Sequence, residues 1–453
     1  MTHERFDFPD ANSLCGKARS LGLELPFSHD VGALFTPLEV AGRRVANRLA
    51  IQPMEASDGD ATGAPGELTA RRYRRFASGG SAVIWFEATA VVPEGRSNPR
   101  QLALTKATLD PLKRLVEATR RAAQPAGTGD PRHVLFILQL THAGRYSRPG
   151  GSPRPILAQH NAILDPLMGI PSDYPLVSDG ELDRLQDEFV RAARMAQEAG
   201  FDGVDVKACH GYLVSELLAA FTREESRYGG PFENRIRFLR EAVARIRCEV
   251  PGIIVASRIN ALDGIPYPHG FGGRRDEPGI VDLAEAVALV RLLRDSGVAI
   301  VNVSAGIPTF NAHWGRPFNQ PLAGAPLPDE HPLTGVARLL HLTATLQRSL
   351  PDLPMVGTGY SWLRHYFPNV AAAVVASGGA AFAGVGRLAF AYPNYAWDLA
   401  RGGALDPHKC CTGCSRCSQI MRDGGFAGCA VRDTEIYGPQ YREGRRRVGS
   451  GAR

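Results

Sequence analysis

The feature that most constrains the fold is an eightfold alternation. Short β-branched or apolar runs recur at wide intervals: RLAIQP near 48, AVIWFEA near 82, HVLFILQL near 133, GVDVKA near 203, IIVASRI near 253, AIVNVSA near 299, PMVGTG near 354 and AFAGVG near 381. Each is followed by a stretch with helical periodicity, and eight such units predict an α/β chain closed into a (β/α)₈ TIM barrel. The helices support this. Leu182, Leu185, Phe189 and Ala193 share one face, behind a Ser178/Glu181 capping box and ahead of Gly200 as a stop. Ile236, Leu239, Val243 and Ile246 repeat the stripe, as do Leu283, Val287 and Val290.

A barrel of this kind needs roughly 250 residues, and the chain has 453. One core with extensions is therefore expected: an N-terminal extension over 1–32, the barrel over 33–400, a four-cysteine segment over 401–443 and a basic disordered tail over 444–453. Hydrophobic residues at 44% and charged residues at 22% suit a soluble enzyme rather than a disordered chain. Most of the net charge of +6 comes from the final GRRRVGSGAR, which has no aromatic-plus-basic pattern beside it, so no nucleic-acid partner is expected. The first thirty residues lack the apolar run of a signal peptide, and no run of about 18 apolar residues occurs. A cytoplasmic protein with no membrane partner is the expectation.

Barrel active sites lie at the C-terminal ends of the strands. The seventh run is followed by Gly357 and Gly359, and the eighth by Gly384, Gly386 and Arg387. Glycines there let backbone amides approach a phosphate, arginine adds charge, and these two loops are the usual phosphate site. The first run ends in Pro53, Met54 and Glu55, the second in Glu87 and Ala88, the third in Gln139 and His142, and the fifth in Arg258. Singly each suits a structural role. Together they offer an amide to read a planar heterocycle and a fixed cation for its developing negative charge, as a reducible ring requires.

The fourth run carries the densest signal, KACHGYL over Lys207–Leu213, continuing through AAFTREESRYGGPFENRIRFLREAV. With QLTHAGR, EATAV and GVGR, this segment resembles the old yellow enzyme family of NAD(P)H:flavin oxidoreductases over roughly residues 33–395. The resemblance implies FMN held by Pro53, Ala88, Gln139, Arg258, Gly359, Gly386 and Arg387, with NAD(P)H as electron donor. It implies that Lys207 and His210 anchor the substrate's activating carbonyl and that Tyr212 donates a proton. That is ene-reductase chemistry, in which hydride passes from flavin N5 to the β-carbon of an activated alkene while an acid protonates the α-carbon. Lys207 departs from the histidine many relatives carry; an ammonium stabilises a developing enolate more strongly, and its bland alternative is an ion pair with Asp205 or Glu55. Glu55 departs from a small neutral residue or cysteine, and if ionised at the flavin it would lower the potential. His313, after the sixth run, is a candidate second acid, with an ordinary loop histidine the simpler reading.

Cys411, Cys414, Cys417 and Cys429 crowd one short segment. In a reducing compartment this favours ligation over disulfides, and spacing alone balances a [4Fe–4S] cluster against a tetrahedral zinc site. The 2,4-dienoyl-CoA reductase-like branch of the family carries such a set after its barrel, which implies a [4Fe–4S] cluster relaying single electrons to FMN. Cys410 is an alternative first ligand, whereas Cys15, Cys209 and Cys248 are expected to be ordinary buried cysteines. The sequence carries no counterpart of that branch's FAD and NAD(P)H domains, so the expectation is either a separate electron-donor protein as partner or direct reduction of FMN by NAD(P)H with the cluster structural or modulatory. The expected substrate is a small molecule with an electron-poor alkene. Oxidative amine dehydrogenation or demethylation is the competing reaction, which Tyr212 disfavours, and a non-catalytic FMN and cluster redox sensor is a third reading. The stretches 148–175 and 311–332 are expected to cover the pocket mouth.

Overall fold

The computed structural model describes residues 3–277 and 280–449. The eight expected runs form β1 Leu49–Ile51, β2 Val83–Ala90, β3 Leu135–Thr141, β4 Gly203–Val206, β5 Ile254–Leu262, β6 Ile300–Ala305, β7 Met355–Gly357 and β8 Phe382–Val385. All pair in parallel in sequence order, and β8 pairs with β1 to close the barrel. Outside lie α1 Glu67–Ser78, α2 Leu109–Ala122, α3 Asp179–Glu198, α4 Arg237–Glu249, α5 Ala284–Asp295, α6 Pro332–Ser349, α7 Phe367–Ala376 and α8 Tyr395–Gly402. The capping box at Ser178 forms as expected, with Ser178 Oγ accepting from the Glu181 amide and Glu181 accepting from the Ser178 amide.

Strand periodicity explains where the core sits. Outward residues such as Ile84, Phe86, Phe136, Leu138, Val204, Val301 and Val303 pack beneath the helices, while Val83, Trp85, Ile137, Ile254, Ala256 and Ile300 fill the barrel interior. Ascending the strands, the inward series turns polar: Ile137 gives way to Gln139, Gly203 to Asp205, Ala256 to Arg258 and Ile300 to Asn302. The same alternation that builds the barrel thus delivers polar groups to one end.

The N-terminal extension packs on the barrel. Phe6 meets Trp362 edge-on with ring centroids 5.4 Å apart, and Leu14 and Ala18 are buried. After α8 come α9 Arg416–Arg422 and α10 Thr434–Gly449. Disorder was expected from residue 444, yet α10 runs to Gly449. Its basic face finds an acid in Asp423, 3.2 Å from Arg445, and Gly444 packs against that residue so closely that a Cβ would lie 2.9 Å from Asp423 Cβ. Residues 450–453 lie outside the described residues. Cys209 is buried as expected, but Cys15 is only half-buried, and Cys248 is exposed because it lies off the Leu239–Val243–Ile246 face of α4. Among the described residues no helix is long and apolar enough to cross a membrane.

Candidate active site and cysteine cavity

The polar end of the barrel opens into a cleft of about 750 Å³. Gln52, Pro53 and Met54 line it from β1, His210 from the turn after β4, and Arg258 from β5. Thr358, Gly359, Ser361, Gly384, Gly386 and Arg387 line it after β7 and β8, and Gly315, Arg316 and Pro317 from the long loop after β6. Several donors facing this space have no partner in the protein: Arg258 Nε, Arg387 Nη1 and Thr358 Oγ1 are buried and unmatched. Orphaned buried groups are costly, so their concentration in one cleft marks a place for an acceptor-rich ligand. Gly359 has φ +98°, and a Cβ there would come within 2.9 Å of Leu339 Cδ1, while one at Gly384 would strike Gln52 Nε2.

His210 takes a left-handed conformation, φ +68°, which is rare for a residue with a side chain and holds the imidazole against Ser304 Oγ at 2.8 Å. Burial, with Arg258, Lys207 and Arg316 nearby, pushes its pKa well below the usual range, so the ring is neutral. Lys207 and Tyr212 sit beside the cleft rather than among its lining. The Lys207 ammonium lies 3.4 Å from the centroid of the Tyr212 ring, a cation–π contact, and the Tyr146 ring flanks Tyr212 at 5.9 Å. Among the described residues no carboxylate forms an ion pair with Lys207, and burial lowers its pKa. Burial and the Glu55 charge raise Tyr212 well above 10, so it retains its proton.

Below the cleft, Asp205 organises the interior. It accepts from Trp85 Nε1 at 2.8 Å, Gln139 Nε2 at 2.6 Å and the Arg258 amide at 2.7 Å. Gln139 therefore has its amide committed inside the barrel and does not line the cleft. Ala88 is likewise buried, its carbonyl accepting from Gln101 Nε2 at 3.0 Å, and Gly357 is a strand residue whose carbonyl accepts from Gln52. Glu55 turns away from the cleft toward residues 97–101. His313 is half-buried, 3.8 Å from Glu330, and stands off the cleft.

Cys411, Cys414, Cys417 and Cys429 line one cavity together with Arg387, Arg416 and Arg432. Among the described residues no three His, Cys, Asp or Glu side chains converge on a single metal-ion position. Amides of Gly413 and Arg432 donate to Cys411 Sγ at 3.5 Å and Cys429 Sγ at 3.3 Å. Cys410 faces elsewhere, its thiol donating to the Asp406 carbonyl. Burial raises the Cys411 thiol to about 12 and raises Cys429, so neither ionises without a cation to receive it. The long loop after β6 lines the cleft through Gly315–Pro317 and then grips this segment: Asn319 Nδ2 donates to the Thr412 carbonyl at 2.8 Å, and the Gln320 carbonyl accepts from Ser415 Oγ at 2.6 Å.

Residues 33–271 match the NADH:flavin oxidoreductase / NADH oxidase family. The chain belongs to that family. This FMN-dependent oxidoreductase of the old yellow enzyme type is 30% identical over 294 residues to an NADH:flavin oxidoreductase of Gibberella zeae, covering 60% of this chain and 67% of that one. Its fold resembles a 2-naphthoyl-CoA reductase solved with 2-naphthoyl-CoA, TM-score 0.69 at 21% identity, over 91% of this chain; the oxidoreductase spans 58% of that reductase's length. It also resembles an old yellow enzyme homologue from Zymomonas mobilis, TM-score 0.59 at 21% identity, over 83% of this chain and 94% of the other.

The cleft fits the family's flavin, because unmatched cationic and hydroxyl donors face it. Of the positions expected from sequence, Pro53, Met54, His210, Arg258, Gly359, Gly384, Gly386 and Arg387 line it. Gln52, Arg316, Thr358 and Ser361 were not foreseen. Gln52 accepts from Asn302 Nδ2 at 2.7 Å across the barrel, and a glutamine directly before Pro53 was the available signal.

Proposed function

We propose that the oxidoreductase reduces an electron-poor C=C bond of a small molecule, using electrons from NAD(P)H or a separate donor protein. The grouping that carries this reading is Lys207, His210 and Tyr212 on one turn after β4, beside a cleft whose cationic donors are unmatched. Bound FMN supplies a hydride to an electron-poor carbon. Pro53, Met54, Gly359, Gly386 and Arg387 would hold it, with Arg258 opposing negative charge on its ring. The neutral His210 ring and the Lys207 ammonium orient the substrate's activating oxygen, and the ammonium stabilises charge developing there. Tyr212, kept protonated by burial, gives its proton to the carbon that becomes basic.

For the cysteine cavity we propose a [4Fe–4S] cluster on Cys411, Cys414, Cys417 and Cys429, as in the 2,4-dienoyl-CoA reductase-like branch. Four cysteines lining one cavity supply the all-thiolate ligand set that such a cluster takes. The cluster would store single electrons. The barrel over 33–400 then carries the chemistry and residues 401–443 the electron store.

The test is an anaerobic spectrum of the purified protein with flavin, iron and zinc quantified, followed by NADH, NADPH or dithionite and then an enone. Flavin bands with about four irons per chain, and reoxidation of the reduced enzyme by the enone, are the expected results. Zinc in place of iron removes the electron store, and an enzyme reoxidised only by oxygen or by a protein acceptor removes the ene-reductase reading.

A further inference from the structure

We propose that Ser304 is a positioning residue that fixes His210 as a neutral ring protonated on Nδ1, so that the imidazole offers the cleft a hydrogen-bond donor. The use assigned to that donor rests on the reductive reading above. Strand parity brings the groups together. Ser304 stands two residues beyond Asn302 in the inward series of β6, and it pairs in register with Asn260 of β5, two residues beyond the inward Arg258. A left-handed turn at His210 and Gly211, φ +68° and +72°, carries the imidazole from the end of β4 to the same corner. There Ser304 Oγ lies 2.8 Å from His210 Nε2 and 3.4 Å from Arg258 Nη2.

Counting donors assigns the protons. A guanidinium only donates, so the Ser304 oxygen accepts from Arg258. The hydroxyl proton is left over. Ser304 is fully buried, and among the described residues His210 Nε2 is the one other hydrogen-bond partner of its oxygen. A buried hydroxyl proton without an acceptor is costly, so it goes to Nε2, and donation from Arg258 to the same oxygen strengthens that bond. A neutral imidazole that accepts through Nε2 carries its own proton on Nδ1. Burial beside Arg258, Lys207 and Arg316 keeps the ring neutral. The opposite tautomer would set two donors, Arg258 and His210, on one oxygen whose own proton has nowhere to go. Nδ1 has no partner among the described residues and belongs to a ring that lines the cleft, which leaves it free to meet a ligand. The tautomer decides what His210 can bind. With Nδ1–H it donates, together with Lys207, to an oxygen on which negative charge develops; with Nδ1 bare it would instead accept from a substrate N–H or O–H.

The experiment is long-range proton–nitrogen NMR of oxidised holoenzyme carrying ring-labelled histidine, with the His210 signals identified by their loss in His210→Asn. In wild type, Nδ1 should resonate in the protonated, pyrrole-like range and Nε2 in the unprotonated range. Ser304→Ala should move the ring toward the Nε2–H form, and Ser304→Thr, which keeps the hydroxyl, should hold it on Nδ1; a merely structural serine would leave the tautomer unchanged. When photoreduced enzyme is mixed rapidly with 2-cyclohexen-1-one, Ser304→Ala should be oxidised about tenfold more slowly, short of the loss of about a hundredfold or more that follows outright removal of such a donor. Ser304→Thr should recover most of that rate. A wild-type ring protonated on Nε2, or a Ser304→Ala ring still protonated on Nδ1, overturns the assignment whatever the rates. A wild-type ring protonated on Nδ1 in an enzyme that the enone never oxidises overturns the reductive reading and leaves the assignment standing.

Discussion

At the residue scale, Lys207 is the departure with the greatest chemical weight. Among the described residues its buried ammonium has no ion-pair partner and rests on the Tyr212 ring, so it is a charge kept available rather than neutralised. Replacing it with methionine keeps the stem's bulk and removes the charge. Lys207→Met should slow enone reduction on the order of a hundredfold, the typical cost of one charge-stabilising donor, with flavin content unchanged; equal loss of flavin would instead place Lys207 in cofactor binding. This residue was legible because an ionisable side chain at the end of a buried strand demands explanation. Gln139 was less so. A strand-end amide looks the same whether it faces a ligand or, as here, an interior aspartate, and only the structure shows Asp205 gathering Trp85, Gln139 and Arg258.

At the scale of elements, the barrel strands were readable because apolar runs and helical stripes alternate without interruption. The cysteine segment's anchorage was not, since it depends on loops with no period. The sequence around 444–449 has no apolar stripe, yet it is helical, with Asp423 pairing Arg445 and packing against Gly444. One buried joint between elements is Arg72 of α1, paired at once with Asp58 from the β1–α1 loop and with Glu87 of β2. Even beside the guanidinium, burial raises Glu87 to about 7. Arg72→Met would leave two buried carboxylates with no cation between them and should cost about 3–5 kcal/mol of stability. Urea unfolding checks this, and the double variant Arg72→Met/Glu87→Gln should recover part of the loss.

At the scale of the whole molecule, buried histidines set the acid limit. Burial lowers His142 and His331 from an ordinary value near 6.5 to about 4. Between those values the unfolded chain binds protons that the folded chain refuses, so this share of stability is fully present above about pH 6.5 and is lost as pH falls toward about 4. Urea midpoints should drop across that window. His142→Asn, which keeps an acceptor for the Gly144 amide, should make the slope shallower; an unchanged slope would assign acid unfolding to the carboxylates.

Arg387 also acts at this scale, because it lines both the barrel cleft and the cysteine cavity. One of its nitrogens donates to the Pro317 carbonyl, while Nη1 is unmatched. Arg316, pushed down to about 10 by burial and the neighbouring Arg387, completes a pair of like charges between the two spaces. Among the described residues neither cation has a carboxylate partner, and a phosphate on one side and a cysteine-bound cluster on the other would each relieve the repulsion. The two cavities are therefore expected to load together through this shared wall. Arg387→Ala should lower both flavin and iron content in the purified protein, whereas Cys429→Ala should lower iron while flavin, held by the rest of the cleft, largely remains. Iron retained at the wild-type level in Arg387→Ala would show that the cavities share a side chain but not their energetics.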